Sequence, residues 1–382
     1  MRTFTWLVLC LGLLTVRSAT GMEMEMAPPL APPVAPMPQD SGAAAVPVDG
    51  PVDGAIVERA PANPEGDGDR ESASNGDAGL GDTLCRCRDC RPGCFFAIDA
   101  LFLARPTHVQ FQPLVVDSDP PNPSRMTTSD LQFNTAPGMQ LTLGLSVCED
   151  AAWEIGYFGV QHASASATVE DRVNNNLSLP GNMGLQFPSD FARAAKIRAD
   201  YDSTLHNGEL NYVRTYDCFA FLAGVRYLEL DEDFNLNSEN TITGTSDYHV
   251  RTTNRLYGAQ IGGRVAGGCG QIEYTITGKA GIYGNNARQS NHIDDLNNTF
   301  LVRDTLAHGG TAAMVGDLNF LATYRLSTHW AVRGGYNLLW IEGLALAPDQ
   351  LDFNTDANAG TAINNHAGLF LHGANVGVEA RW

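Results

Sequence analysis

Residues Trp330 to Ile341 read WAVRGGYNLLWI. Taken in twos, Trp330, Val332, Gly334, Tyr336, Leu338 and Trp340 fall on one face. Ala331, Arg333, Gly335, Asn337 and Leu339 fall on the other. Successive side chains of a strand point to opposite faces, so one face is apolar and carries a Trp at each end. Ten residues of a strand tilted by about 40° climb about 25 Å, the height of the apolar band of an outer-membrane barrel. The last segment repeats the pattern: Ala374, Val376, Val378, Ala380 and Trp382 alternate with Gly373, Asn375, Gly377, Glu379 and Arg381.

The same period recurs through the C-terminal three quarters of the chain. It marks segments around Ile98, Leu143, Ile155, Leu210, Ala223, Ile261, Ile276 and Phe320. With the two C-terminal segments this makes about ten strands, an even number, as bacterial barrels have. The connections alternate in length. Tight links fall at Cys148–Ala151, Thr215–Cys218, Gly267–Gly270 and Ser327–His329. Long links are expected at Pro106–Leu131, Val169–Arg193, Asp231–Asp247, Asn285–Thr305 and Ala345–His366. Short turns at one end and long loops at the other are the asymmetry of an outer-membrane barrel. A soluble sandwich alternates too, but has no reason to gather its long loops at one end.

Composition agrees. The 382 residues carry 43 acidic and 24 basic side chains, a net charge of -19 that disfavours nucleic acid as a partner. Mean hydropathy is -0.15, as expected when half of every strand faces a polar lumen. Residues 1–21 read as a secretory signal, with Arg2, an apolar run from Phe4 to Val16, and the small residues Ala19, Thr20 and Gly21. Residues 22–84 are rich in Pro, Gly and acidic residues and cannot bury enough apolar area to offset ordering, so a disordered linker is expected, placed in the periplasm. Residues 85–93 are Cys-rich. Cys85, Cys87, Cys90 and Cys94 have a spacing that zinc could use, but an exported chain favours disulfides, and no metal or other cofactor is expected. The barrel is assigned to residues 94–382. Its strand order suggests Cys94–Cys148 and Cys218–Cys269 bridges at the rim, which require Cα atoms about 4.4–6.8 Å apart.

Three segments carry a likeness. They are Phe219 to Asp233 (FAFLAGVRYLELDED), Asn254 to Gly262 (NRLYGAQIG) and Tyr324 to Asn337 (YRLSTHWAVRGGYN). Together they resemble the beta-barrel porin seven family of outer-membrane proteins, over Gly93 to Trp382. The resemblance implies a barrel in the cell outer membrane and brings no catalytic residues with it. Its chain end is Trp382 where such proteins more often end in Phe. An aromatic is kept for recognition by the barrel-assembly machinery through the C-terminal strand.

The fold class is therefore all-β, a transmembrane antiparallel up-and-down barrel of about ten strands. Outer-membrane lipid is the expected partner of Trp153, Tyr157, Trp330, Trp340 and Trp382, placed in two interfacial girdles. The inward set carries six acids, Asp99, Glu154, Glu209, Glu273, Asp317 and Glu379, and six bases, Arg226, Arg264, Lys279, Arg325, Arg333 and Arg381. The signs balance. Two readings stand: a porin-like narrow polar pore for small solutes, or a closed structural barrel sealed by a salt-bridge network. A remoter reading is enzymatic. Asp247 and His249 share a strand face, and Asp117 and Asp119 form an acidic pair, similar to outer-membrane proteases that activate water with such groups. No Walker loop, Rossmann fingerprint or HExxH is present, and the expectation is a protein without enzyme chemistry.

Overall fold

The computed structural model describes residues 93–106, 111–183 and 189–382. The signal segment, the linker and Cys85, Cys87 and Cys90 lie outside the described residues. Thirteen strands follow in chain order: β1 (Cys94–Ala104), β2 (Pro113–Asp117), β3 (Ser124–Thr127), β4 (Ala136–Cys148), β5 (Ala151–Glu170), β6 (Leu177–Ser178), β7 (Lys196–Tyr216), β8 (Phe219–Asn240), β9 (Gly244–Cys269), β10 (Ile272–Asp295), β11 (Phe300–Arg325), β12 (Trp330–Leu344) and β13 (Ala367–Arg381). Ten of them close a barrel in the order β1-β13-β12-β11-β10-β9-β8-β7-β5-β4. Every neighbouring pair is antiparallel, and β1 completes the ring by pairing with both β13 and β4. Strands β2, β3 and β6 lie in the connections and form a small sheet of their own. Closure removes sheet edges, so the backbone groups of the wall find partners within it.

The tight turns and the described termini share one end, here the terminal end. Cys94 N donates to Trp382 O at 2.9 Å, and Trp382 N to Cys94 O at 3.0 Å. At the β9–β10 turn Gly270 has φ +67°, a left-handed conformation that glycine adopts without a Cβ clash.

The wall has unequal height. β9 and β11 have 26 residues each, whereas β1 has 11 and β12 has 15. The reason lies in a reversal of polarity along single strands. On β8 the odd residues point outward. Phe219, Phe221 and Val225 are exposed apolar side chains; further along, Glu229, Asp231, Asp233, Asn235 and Asn237 take the same face. The even residues do the opposite: Arg226 is followed by Leu228, Leu230, Phe234 and Leu236, all buried. β9 repeats this, with Val265, Ile261 and Tyr257 outward and then Arg255, Arg251 and His249. A belt of exposed Ile, Val, Phe, Tyr and Trp thus circles the terminal half of the barrel, and a polar skin begins beyond Tyr227 and Tyr257. Continuous exposed apolar surface of this kind marks contact with a nonpolar medium or partner. Trp153, Trp330, Trp340 and Trp382 are all exposed on this belt. The Trp340 indole lies across Gly316 of β11, where any Cβ would overlap the ring.

Two expectations need correction. The stretches Asp231–Asp247 and Asn285–Thr305 are not long loops. β8 and β9 continue to a turn at residues 241–243, and β10 and β11 to one at 296–299. Their alternation persists with inverted polarity because the outside there is polar and the inside is packed. The disulfide pairings also fail. Cys94 and Cys218 are free thiols. Cys94 stands opposite Leu145, and Cys218 O accepts from Ala266 N. In both cases the intended partner, Cys148 or Cys269, is three residues further along the facing strand. That is about 10 Å at 3.3 Å per residue, beyond the reach of a bridge. Cys148 is disulfide-bonded, but not to Cys94. Maleimide labelling of the unreduced protein followed by peptide mass mapping is expected to tag Cys94 and Cys218 and to spare Cys148.

Candidate functional site: the barrel lumen

Inward side chains divide the lumen into layers. Nearest the terminal end is a charged layer. Arg264 of β9 reaches across to Glu154 of β5 with two bonds of 2.7 Å each, and its Nε donates to Thr277 Oγ1 at 3.2 Å. Lys279 of β10 donates to both oxygens of Glu209 of β7 at 2.7 Å. Gln260 Nε2 adds bonds of 2.8 Å to Glu209 and to Asn211. Arg226 of β8 binds Asp317 of β11 at 2.5 Å, and Lys279 lies 3.6 Å from the same carboxylate. On the short side of the wall, Arg333 Nε stands 2.9 Å from Asp99 Oδ1, near enough for an ion pair but off the line of a hydrogen bond. Arg333 also pairs with Glu379 at 3.3 Å. Arg381 bonds Glu379, and Arg325 pairs with Glu273 at 2.5 Å. All six acids and six bases singled out in the sequence are thus ion-paired with one another. Burying a charge unpaired costs several kcal/mol, so this mutual pairing is what lets the layer exist.

These groups surround a cavity of about 250 Å³. Ten of the twelve line it; Asp99 and Arg325 do not. Its far wall is apolar, with Leu101, Leu103, Leu339 and Leu371. Glu273, Arg325 and Arg381, at the terminal rim, are each between a third and a half exposed, so water enters from that end.

Beyond the charges lies an apolar layer. Leu101 and Leu103, Ala136, Val160, Leu205, Leu228 and Leu230, Leu256, Tyr283, Val315, Leu339 and Ile341, and Leu369 and Leu371 make one buried cluster. Every one of the ten barrel strands contributes to it. On nine of the strands the apolar residue follows a charged one going away from the terminal end; on β4 Ala136 follows the uncharged Thr142 and Gln140. Apolar constrictions are one way in which a pore is shut, by dewetting.

A third layer grips two inward-folded connections. Arg105, just after β1, donates to Glu232 of β8 and to Tyr201 Oη of β7, at 2.7 Å each. Both members of the ion pair are sealed from solvent, with side chains 3% and 0% exposed. Burial pushes the Tyr201 phenol well above its usual range, so it stays a neutral hydroxyl. Glu232 also accepts from Ala347 N at 2.9 Å. Asn254 clasps Ala345 through its N and its O, both at 2.8 Å. Tyr248 Oη accepts from Asp352 N at 2.8 Å, and Arg303 donates to Asp352 O at 2.8 Å. The connection between β12 and β13 is therefore fastened inside the tall wall. A second apolar cluster, including Leu114, Met126, Leu177, Phe191, Phe234, Tyr248 and Phe353, caps it at the loop end.

Arg105, Tyr201, Glu232, Asn254 and Arg303 are not in the lumen set read from the sequence, and Glu232 falls in Asp231–Asp247, a stretch expected to be a long link. A signal did exist. Glu232 is an acid at an inward position between Leu230 and Phe234, where only a paired charge can reside.

The enzymatic reading does not assemble as expected. His249 Nε2 contacts Asp233 Oδ1 at 2.6 Å, not Asp247. Asp247 instead accepts from Asn235, Asn237 and Asn298. Asp117 and Asp119 bond Asn176 in the small connection sheet. Burial raises the Asp233 carboxyl, but hydrogen bonds from Arg251 and His249 outweigh it and hold it below its usual value. His249 thus sits in a surface ion-pair cluster on the outer face of the wall.

A closed ten-strand up-and-down barrel with an apolar belt and an ion-paired interior defines an outer-membrane-type β-barrel. The family model described as "Putative beta barrel porin-7 (BBP7)" matches residues 185–382. The chain belongs to that family. No curated protein matches it. Among solved structures it is similar to the outer membrane protease OmpT of Escherichia coli, at 10% identity and TM-score 0.41, covering 76% of this chain and 96% of that one. The Pseudomonas putida toluene transporter TodX is 9% identical, with TM-score 0.23 over 77% and 91% of the two chains. Acinetobacter baumannii CarO2 is 12% identical, with TM-score 0.21 over 75% and 99%. Nothing about a substrate follows from likenesses of this size.

Proposed function

We propose that the protein spans the outer membrane as a barrel closed toward the outside, with its charged cavity open to the periplasm. The observation that carries this reading is the buried apolar layer to which all ten strands contribute. The terminal end, with Trp382, faces the periplasm and brings the N-terminal arm there. The last strand, β13, is the segment offered to the barrel-assembly machinery. Small polar solutes reach the cavity from the periplasmic side. Planar-bilayer recording tests the closure: a steady conductance of the intact protein overturns it. A second reading, a gated narrow pore, is favoured by one feature. The connection filling the loop half is held by hydrogen bonds to its backbone, such as those of Asn254, Gln289 and Arg303, which can be exchanged for water.

The membrane placement has its own test. Ile276 is an exposed residue near the middle of the belt on β10. Ile276→Arg is expected to cost about 2–4 kcal/mol in denaturant unfolding from vesicles, as charges on the lipid face of barrels do. A cost near zero indicates that this face meets water.

A further inference from the structure

The outer skin beyond the aromatic belt holds a group of cations that the lumen does not explain. Arg288 of β10 points outward and is exposed. Its direct cross-strand neighbours are Thr253 on β9 and His308 on β11. Its diagonal neighbours on β9 are Arg251 and Arg255, which stand opposite Ser290 and Asn286 of β10. Three guanidinium groups and an imidazole therefore surround one point, and the three guanidinium charges repel one another. Arg251 is occupied by Asp233 at 2.7 Å, and Arg255 by Glu229 at 3.3 Å. Thr253 Oγ1 donates to Asp231 at 2.7 Å. The nearby acids on β8 are thus engaged on their own side. Arg288 and His308 have no ion-pair or hydrogen-bond partner among the described residues. Arg288 is thus the one guanidinium of the three without an acid of its own, exposed and open to an anion from outside the chain.

Position says which anion. Thr253 lies four residues beyond Tyr257, the last aromatic of the belt on β9, or about 10 Å above it for a strand tilted by about 40°. Arg side chains bend back along the surface toward an interface, so the guanidinium groups fall just outside the apolar belt. Phosphate groups of a lipid whose acyl chains cover that belt occupy this height. A planar guanidinium meets two phosphate oxygens at once. We propose that Arg288 and His308, flanked by Arg251 and Arg255, form a docking patch for the phosphorylated headgroup of an outer-leaflet lipid. This rests on the membrane placement proposed above.

The test is native mass spectrometry of the full-length barrel in detergent with diphosphorylated lipid A, and with the same lipid lacking both phosphates. The intact protein is expected to hold the phosphorylated form about tenfold more tightly, the value of one good charge-assisted contact. Arg288→Gln with His308→Gln is expected to erase that preference while heat-modifiable gel mobility, a sign of the folded barrel, is unchanged. Arg198→Gln, which removes an outward Arg paired with Asp200 elsewhere on the wall, should leave the preference intact. Equal retention of the two lipids, a preference that survives the double substitution, or an equal loss in Arg198→Gln overturns the proposal. Displacement of the lipid by millimolar inorganic phosphate overturns it too, in favour of a free-anion site. Failure of the membrane placement is read separately, as failure of the intact protein to float with phospholipid vesicles.

Discussion

Planar bilayers holding the intact barrel are expected to stay electrically silent. Steps of current should appear only when the apolar layer is breached. The test variant replaces residues 346–365 by a short Gly-Ser link and carries Leu228→Ser, Leu256→Ser and Leu339→Ser. The first change removes Ala347 and Asp352, through which Glu232 and Arg303 hold the connection inside the wall. The second removes three leucines of the same buried cluster, Leu228 and its cross-strand partner Leu256 and, on β12, Leu339, exposed to only 0%, 0% and 5%. Excision of the connection alone should remain silent, because strand side chains still complete the layer. Substituting leucines alone should remain silent as well, since the connection and the cap still cover the loop end. The combined variant joins the charged cavity to the outside through a hydroxyl-lined passage that water can wet. Its current should be weakly ion-selective, because the six acids and six bases of the first layer neutralise each other. Silence of the combined variant, with the barrel still folded, shows that the cap and not the leucine layer is the barrier.

The second large effect is expected at Glu232. Its carboxylate accepts from Arg105 on one connection and from Ala347 N on another. Glu232→Ala leaves the Arg105 guanidinium buried without its counter-charge and is expected to cost about 3–5 kcal/mol. The loss should concentrate in the loop half. Hydrogen exchange should rise in residues 345–366 and near Arg105 while the belt segments stay protected. The paired replacement Glu232→Leu with Arg105→Met removes both charges and fills similar volume, and should recover most of the loss. If the single substitution costs as little as a surface pair, below about 1 kcal/mol, the ion pair is solvated in the membrane-bound protein and the loop half is open.

Much of the lower wall was legible because its surroundings impose a simple rule. Trp330 to Trp340 and Phe219 to Val225 face one nonpolar medium, so alternate residues must be apolar whatever lies across the lumen. The tall part escaped because the rule inverts there. Glu229 to Asn237 hold the outward positions of β8 as polar residues, and an eye set for apolar-outward strands takes the stretch for a loop. The charged lumen set was nameable from parity alone, but its pairing was not. Arg264 and Glu154 are 110 residues apart in sequence and meet only because the barrel curves them together. The cysteines failed for a related reason. Neighbouring strands place Cys94 and Cys148 at the same rim, yet the stagger that separates them depends on the turn and on the irregularity near Cys148.

Sequence alone determined the period, the approximate strand count, the end at which the tight turns gather and which face of each belt segment looks outward. Each of these follows from one residue and its neighbours two positions away. The tertiary structure alone decided that buried apolar side chains form one layer across the lumen. That layer depends on apolar side chains from ten strands meeting in one cluster, and on where two connections turn inward. Both are set by strand register and ring curvature, quantities that no local pattern of residues encodes.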